Sequence, residues 1–424
     1  MSPAEQLGSL RQVPYMGVIH VVAEAVKLGF SNGHPDWCNL GQGQPEVGEM
    51  KGAPPRFSEL SILAEDHAYG PLEGIPELRQ RIADHYNRLF RGGKSSQYGP
   101  ENVSIAAGGR LSLTRAVAAL GDITVGYPLP DYTAYEDILL THLDRLTTIP
   151  VRGCEDNGFQ VTPEQLQEAI EEHDLGAWLF SNPCNPTGNV MQGDELAQVV
   201  DLCRSHGTTL LSDEFYSHFI YSDGTDAQHA TPGAGAISAA SHVEDVNEDP
   251  VLIFDGLTKS FRYPGWRLGW IIGPPAMVEA TARTASAIDG GPSRLSQRAA
   301  LEILDPSRAD QETSALREVF CEKRNVMVQR LQAMGIHLPK PSNSTFYCWG
   351  SLKDLPAPLN HGQAFFRRAL QEKVLTVPGE YFDINPGKRR KAPSPYTQWM
   401  RFSFGPPMDN LLLGLDRLEA MIKK

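Results

Sequence analysis

Three short apolar runs in the middle of the chain, AWLFS (177–181), TTLLSDEF (208–215) and VLIFDG (251–256), constrain its fold more than any other feature. None alternates cleanly between apolar and polar residues, as a strand with one wet face would, so each reads as a strand buried on both sides. DELAQVVDLCRSHG (194–207), between the first two, has helical spacing. PELRQRIADHYNRLF (76–90) places Leu78, Ile82, Tyr86 and Leu89 on one helical face. TPEQLQEAI (162–170) opens on a capping box, Thr162 with Gln165, and has Pro163 in its first turn. Apolar strands alternating with helices imply an α/β fold, with a mostly parallel sheet covered on both faces.

In such sheets ligands bind beyond the carboxyl ends of the strands. Here those ends carry NPCNPTG after 177–181, DEFY at the end of 208–215, and LTK after 251–256. Three successive strand ends thus offer an asparagine, an aspartate with a tyrosine, and a lysine. The 424 residues allow two or three domains, and 38 Lys and Arg against 51 Asp and Glu leave a formal charge of −13. That balance argues against nucleic acid or an anionic membrane as partner. No secretory signal or apolar run of spanning length is visible, so the expectation is a soluble cytoplasmic protein. The six cysteines are scattered without a C-x-x-C pair and suggest neither a disulfide frame nor a metal site. Segment 222–250 reads as a surface loop and GKRRKAPSP (387–395) as a solvated excursion. From about residue 300 a separate C-terminal unit is expected, with a helix over 315–335.

A lysine amine kept partly unprotonated forms Schiff bases with aldehydes. Pyridoxal phosphate needs such an amine, an acid beside its pyridine nitrogen, and donors for a dianionic phosphate. Lys259 supplies the amine, Asp213 the acid, and Tyr216 and Asn185 hydrogen bonds to the ring's phenolic oxygen. AAGGRLSLTRAVAAL (106–120) reads as a strand end turning into a helix, so Gly108, Gly109 and Arg110 would present N–H groups to the phosphate. Arg267, framed by Gly265 and Gly269 in FDGLTKSFRYPGWRLGW (254–270), would be its cationic partner, with Thr258 adding a hydroxyl.

NPCNPTG, SDEFY and LTKSFRYPGWRLGW together resemble the fold type I pyridoxal-phosphate enzymes, and specifically the class I/II aminotransferases related to aspartate aminotransferase. The likeness extends over nearly the whole chain. It implies a large cofactor-binding domain over 56–305 with a mostly parallel seven-stranded sheet, and a smaller α+β domain formed by 306–424 with the segment 1–55. In NLGQGQPE (39–46) it places Gly43 near the substrate carboxylate. In YGPLEGIPELR (69–79) it implies that Tyr69 reaches the phosphate of the neighbouring subunit, hence a homodimer. In YPLPDYTAY (127–135) it implies that Tyr132 stacks on the pyridine, and in MRFSFG (400–405) that Arg401 pairs with the substrate α-carboxylate.

The activity implied is transfer of an amino group between an amino acid and a 2-oxo acid by a ping-pong mechanism. A pyridoxal-phosphate lyase or cyclase shares every residue named so far and is the alternative. The chain departs from the family pattern at PSNSTFYCW (341–349), one residue longer than usual around Phe346, and in the long stretch between Phe382 and Arg401. For the substrate side chain, SAIDGGPSRLSQ (286–297) offers Asp289 and Arg294, either of which could point inward. An inward Asp289 would favour a basic or neutral donor. His218 and Tyr221, just beyond DEFY, read as structural.

Overall fold

The computed structural model describes residues 17–221 and 235–424. Helix α1 (Gly17–Lys27) and strand β1 (Cys38–Asn39) lead to α2 (Pro76–Phe90), which starts on a proline and buries Leu78, Ile82 and Tyr86 on one face. Then follow β2 (Val103–Ala106), α3 (Gly109–Ala119), β3 (Ile123–Leu129), α4 (Ala134–Leu140) and β4 (Leu146–Arg152). Next come α5 (Pro163–His173), β5 (Leu175–Ser181), α6 (Gly193–His206), β6 (Thr209–Asp213), β7 (Val251–Gly256) and β8 (Gly269–Ile272). After α7 (Pro275–Ile288), α8 (Arg294–Ile303) and α9 (Pro306–Ala333), the chain forms β9 (Tyr347–Ser351), α10 (Gly362–Gln371), β10 (Val374–Leu375), β11 (Val377–Pro378), β12 (Trp399–Ser403) and α11 (Met408–Lys423).

One sheet has seven strands in the order β2-β8-β7-β6-β5-β3-β4. The neighbours from β7 to β4 are parallel, and β8 alone runs against both of its partners. The apolar runs are covered on both faces, and alternation sorts their side chains. Leu211, Leu252, Phe254 and Ile271 enter one apolar core, while Leu210, Ile253, Trp270 and Ile272 enter the other. The first core continues into the C-terminal unit through Phe320, Phe346, Trp349 and Phe402. There β11, β12 and β9 form an antiparallel sheet. The N-terminal segment joins that unit, because β1 pairs with β10, Cys38 opposite Val374.

Local chemistry explains several boundaries. Thr162 caps α5, its hydroxyl accepting from Gln165 N at 3.3 Å while Gln165 Oε1 accepts from Thr162 N at 3.1 Å. The helix expected over 315–335 begins at Pro306, because Asp305 caps it by accepting from the amides of Ser307 and Arg308. The strand expected over 208–215 ends at Asp213, where the chain turns and Ser217 N donates to Glu214 O.

One surface reading needs correction. Of the segment 222–250, residues 222–234 lie outside the described residues, but Ala239, Ala240, Val243 and Val246 are buried. The cause is Arg91, fully buried, whose guanidinium donates to the carbonyls of Ser96, Ala240, Val243 and Glu244. The basic stretch 387–395 is solvent-exposed as expected, with only Arg390 and Ser394 half-buried. Lys388 pairs with Glu136, and Arg390 pairs with Asp383 at 2.8 Å.

A second buried network ties 46–48 down. Arg262, fully buried, pairs with Glu312 of α9 and donates to the carbonyls of Glu46 (3.2 Å) and Gly48 (2.8 Å). Lys323 of α9 pairs with the Glu46 carboxylate. Removing one partner of a buried pair leaves an uncompensated charge, so Arg262→Ala is expected to destabilise the protein by about 3–5 kcal/mol. The shift of the denaturant midpoint at unchanged slope measures it; a change below about 1 kcal/mol would show that the pair is not desolvated.

Candidate active site

The carboxyl ends of β2, β3, β5, β6 and β7 face one cavity of about 490 Å³. Lys259 lies just past β7, Asp213 ends β6, Asn185 follows β5, and Tyr132 follows β3. Beyond β2, α3 begins at Gly109 and points its first turn into the same space. Gly43, Arg110, Tyr216, Thr258, Arg267 and Arg401 line it as well. Residues from the two ends of the chain and from its middle therefore meet at one edge of the sheet, as the position of ligands in parallel sheets requires.

Burial and the neighbouring Arg401 guanidinium pull the Lys259 amine down to about 7, well below an ordinary lysine, against the opposing charge of Asp213. Its Nζ donates to the carbonyl of Gly43 and stands 6.0 Å from the centre of the Tyr216 ring. Burial also raises the Asp213 carboxyl to about 6, with a hydrogen bond from Tyr135 Oη (2.8 Å) acting the other way. Asp131, beside it, is pushed up to about 8 by burial. It accepts from Ser181 N (3.1 Å) and Tyr132 N (2.6 Å), and so pins the Tyr132 loop to β5.

Arg267 adopts a left-handed conformation, φ 51°, that turns its guanidinium back toward the start of α3. There glycine is required: a Cβ on Gly108 (φ +96°) would lie 2.3 Å from Arg267 Nη2, and one on Gly109 would lie 2.0 Å from the Phe215 ring. Helix start and guanidinium together form a cradle for an anion, because first-turn N–H groups have no acceptor within the helix. At the other side of the cavity Arg401 is buried on β12 and lies over the Tyr347 ring, 4.1 Å from its centre. Its Nη1 donates to Asn185 Oδ1 at 2.7 Å and its Nη2 to Gly41 O at 2.9 Å. Among the described residues, none bonds its buried Nε. Four cations (Arg110, Lys259, Arg267 and Arg401) line the cavity against two acids, Asp137 and Asp213. Such a site suits a ligand with anionic groups at two ends and an amine-reactive carbonyl between them.

Two of the residues singled out in the sequence lie elsewhere. Gly108 stands behind the lining beside Arg267, and Tyr69 is 97% exposed and outside this chain's cavity. The inward choice between Asp289 and Arg294 falls to neither within the chain. Asp289 forms a two-point ion pair with the buried Arg115 (2.6 and 3.0 Å), and Arg294 lies 3.9 Å from Glu65. Beside Phe346, Thr345 is left-handed, φ 60°, and Tyr221 Oη donates to its carbonyl. His218 Nδ1 meets Thr313 Oγ1 at 2.8 Å, away from the cavity.

Sequence reading missed four contributors. Tyr347, not Phe346, faces the cavity, and its hydroxyl lies 2.8 Å from that of Tyr216. Tyr135, three residues after Tyr132 in the same quoted motif, is the group that holds Asp213. Asp131 with Ser181, and the face of α1 bearing Val18, Ile19 and Val22, complete the site. Strand alternation across β9 was the available signal for Tyr347; α1 offered none before its docking was known.

Solved structures share this architecture. An aspartate aminotransferase from Thermus thermophilus with maleate superposes with a TM-score of 0.77 at 22% identity, covering 97% of this chain and 100% of that one. Among curated proteins, an aspartate/prephenate aminotransferase of Cereibacter sphaeroides is 29% identical over 84% of this chain and 86% of its own length. An aspartate aminotransferase of Geobacillus stearothermophilus is 27% identical over 95% of each. Residues 35–418 match the family Aminotransferase class I and II. With nearly the whole chain inside that match, the ancestry is settled: this chain belongs to the class I and II aminotransferases.

Proposed function

We propose that this aminotransferase holds pyridoxal phosphate in the cavity described above, on Lys259, and moves an amino group from an amino acid to a 2-oxo acid there in ping-pong fashion. Members of the family depend on that cofactor. The observation that carries the reading for this chain is a single amine, Lys259, held near 7 at a strand end between an acid and an anion cradle. The donor set fits the cofactor: Gly109, Arg110, Thr258 and Arg267 for the phosphate, Asp213 for the pyridine nitrogen, Asn185 and Tyr216 for the phenolic oxygen, and Tyr132 against the ring. Gly108 only makes room for Arg267, and its own N–H donates to Ala106 O. When bound, pyridoxal phosphate supplies an electron-withdrawing ring that takes up the electron pair left behind when a substrate Cα loses its proton.

The remaining steps belong to the protein. Arg401 would bind the α-carboxylate, with Asn185 and Gly43 beside it, and its Nε has no acceptor among the described residues. Fixing the carboxylate orients the Cα–H bond toward Lys259. With a pKa near the working pH, Lys259 can accept that proton and deliver it again, as a general base and then an acid. Tyr347, hydrogen-bonded to Tyr216, fixes the direction in which that hydroxyl points. Asp213 would stay ionised opposite a protonated ring nitrogen, and Tyr135 holds it in place. We further propose a homodimer in which Tyr69 reaches the phosphate bound by the neighbouring subunit. The fully exposed Tyr69 and the exposed Leu60, Ile62 and Leu63 on the approach to it support that reading.

Amino acid added to the loaded enzyme should convert the cofactor to its amine form, and a 2-oxo acid should convert it back. Release of ammonia without need of an acceptor would instead mark a lyase. Lys259→Ala is expected to lower turnover at least about 100-fold, the usual share of a positioned acid–base group. Retained turnover would remove Lys259 from the mechanism.

The amine's protonation can be followed separately. In cofactor-free protein, pH-dependent labelling of Lys259 should reach half its maximum near pH 7, where an ordinary lysine needs about 10. The sign for stability follows. The unfolded chain binds this proton at higher pH than the folded one, so stability falls as pH drops from about 10 to 7. Lys259→Met should flatten that part of the pH–stability curve, and an unchanged slope would refute the assignment.

A further inference from the structure

The mechanism uses the first turn of α3, yet the start of that helix does little to fix its own direction. The residue before it is Gly108, which has no side chain to cap it, and Gly109 follows. The anchor lies farther along, at Arg115, which is fully buried. Its Nη1 donates to Ile105 O, near the end of β2, at 2.8 Å. Its Nε and Nη2 reach the two carboxylate oxygens of Asp289, at 3.0 and 2.6 Å. Thr284 Oγ1 of α7 donates to Arg115 O at 3.2 Å, so one strand and two helices meet at this residue. Asp289, just past α7, also accepts from Gly291 N at 2.9 Å.

The guanidinium therefore spans the turn that carries Gly108 and Gly109, from the strand that enters it to the helix that leaves it. A guanidinium is a planar fork, so a carboxylate gripped at two points sets its plane and with it the bond to Ile105. Without that carboxylate, a buried Arg115 has to turn toward another acceptor and takes α3 with it. The cradle has little slack for such a turn. A Cβ on Gly108 would lie 2.3 Å from Arg267 Nη2, and hydrogen bonds weaken steeply as their angle falls. Lys259 and Asp213 stand on other strands and do not share the movement.

We infer that Arg115 and Asp289 are positioning residues of the anion cradle: their ion pair aims the first turn of α3 and sets the hold on a phosphate, although neither lines the cavity. This rests on the reading of that turn as the cofactor's phosphate site. Asp289, which the sequence offers as a reader of the substrate side chain, thus acts on the phosphate through Arg115.

The full-length chain, freed of cofactor, can be titrated with pyridoxal phosphate, with inorganic phosphate, and with pyridoxal, which has the ring and aldehyde but no phosphate. Asp289→Asn keeps the shape and removes the charge. It should weaken pyridoxal phosphate at least about tenfold more than pyridoxal, the equivalent of one charge-assisted hydrogen bond to the phosphate. Inorganic phosphate should weaken with pyridoxal phosphate. Arg115→Lys, which keeps the charge but not the fork, should give the same split. A pair that serves folding alone would weaken both pyridoxal ligands alike, and a smaller split in either variant overturns the inference. Should one variant fail to fold, the other decides; should both fail, the pair is a folding element and the inference falls. If the unaltered chain binds pyridoxal as tightly as pyridoxal phosphate, the phosphate reading itself fails and this inference with it.

Discussion

Everything at this site follows from the cost of keeping one amine uncharged. Desolvation alone disfavours the ammonium form, and a cation nearby disfavours it further. The protein applies both to Lys259, by setting it just beyond a strand buried along its whole length and by placing Arg401 close by. Asp213 works against the effect, and it is restrained in turn: burial raises its own pKa and Tyr135 occupies one oxygen. The arrangement demands a rigid platform. The central strands supply it, with their successive apolar side chains committed alternately to one of two cores.

Anion recognition is built from two different devices at opposite sides of the same space. At one, a helix start and a guanidinium converge only because two glycines leave room. At the other, Arg401 is immobilised by Asn185, by a carbonyl of the N-terminal segment and by the ring of Tyr347. The first needs backbone proximity, the second a rigid fork in a dry place. Both join segments distant in the chain, Gly108 with Arg267 and Arg401 with Asn185.

Much of this was legible before the fold was known. Burial of the three central strands follows from their composition, and the chemistry at their ends from the side chains that end them. The capping box at Thr162 marked a real boundary because its hydrogen bonds are local. Contacts across the fold were not legible. Asp289 looked like a substrate reader, but it is bound to Arg115, 174 residues away. The stretch around Ala239 looked like a loop because its small residues carry no periodicity; the buried Arg91 guanidinium satisfies its carbonyls and makes burial tolerable. The part that Tyr347 plays was not legible, because it depends on a contact with Tyr216, 131 residues away.

The tether on residues 46–48 has a further consequence. Arg262 stands three residues past Lys259, Lys323 belongs to α9, and both hold the segment whose Gly43 carbonyl accepts from the amine. A displacement of that long helix would thus be passed, through one short piece of backbone, to the carbonyl that faces the Lys259 amine.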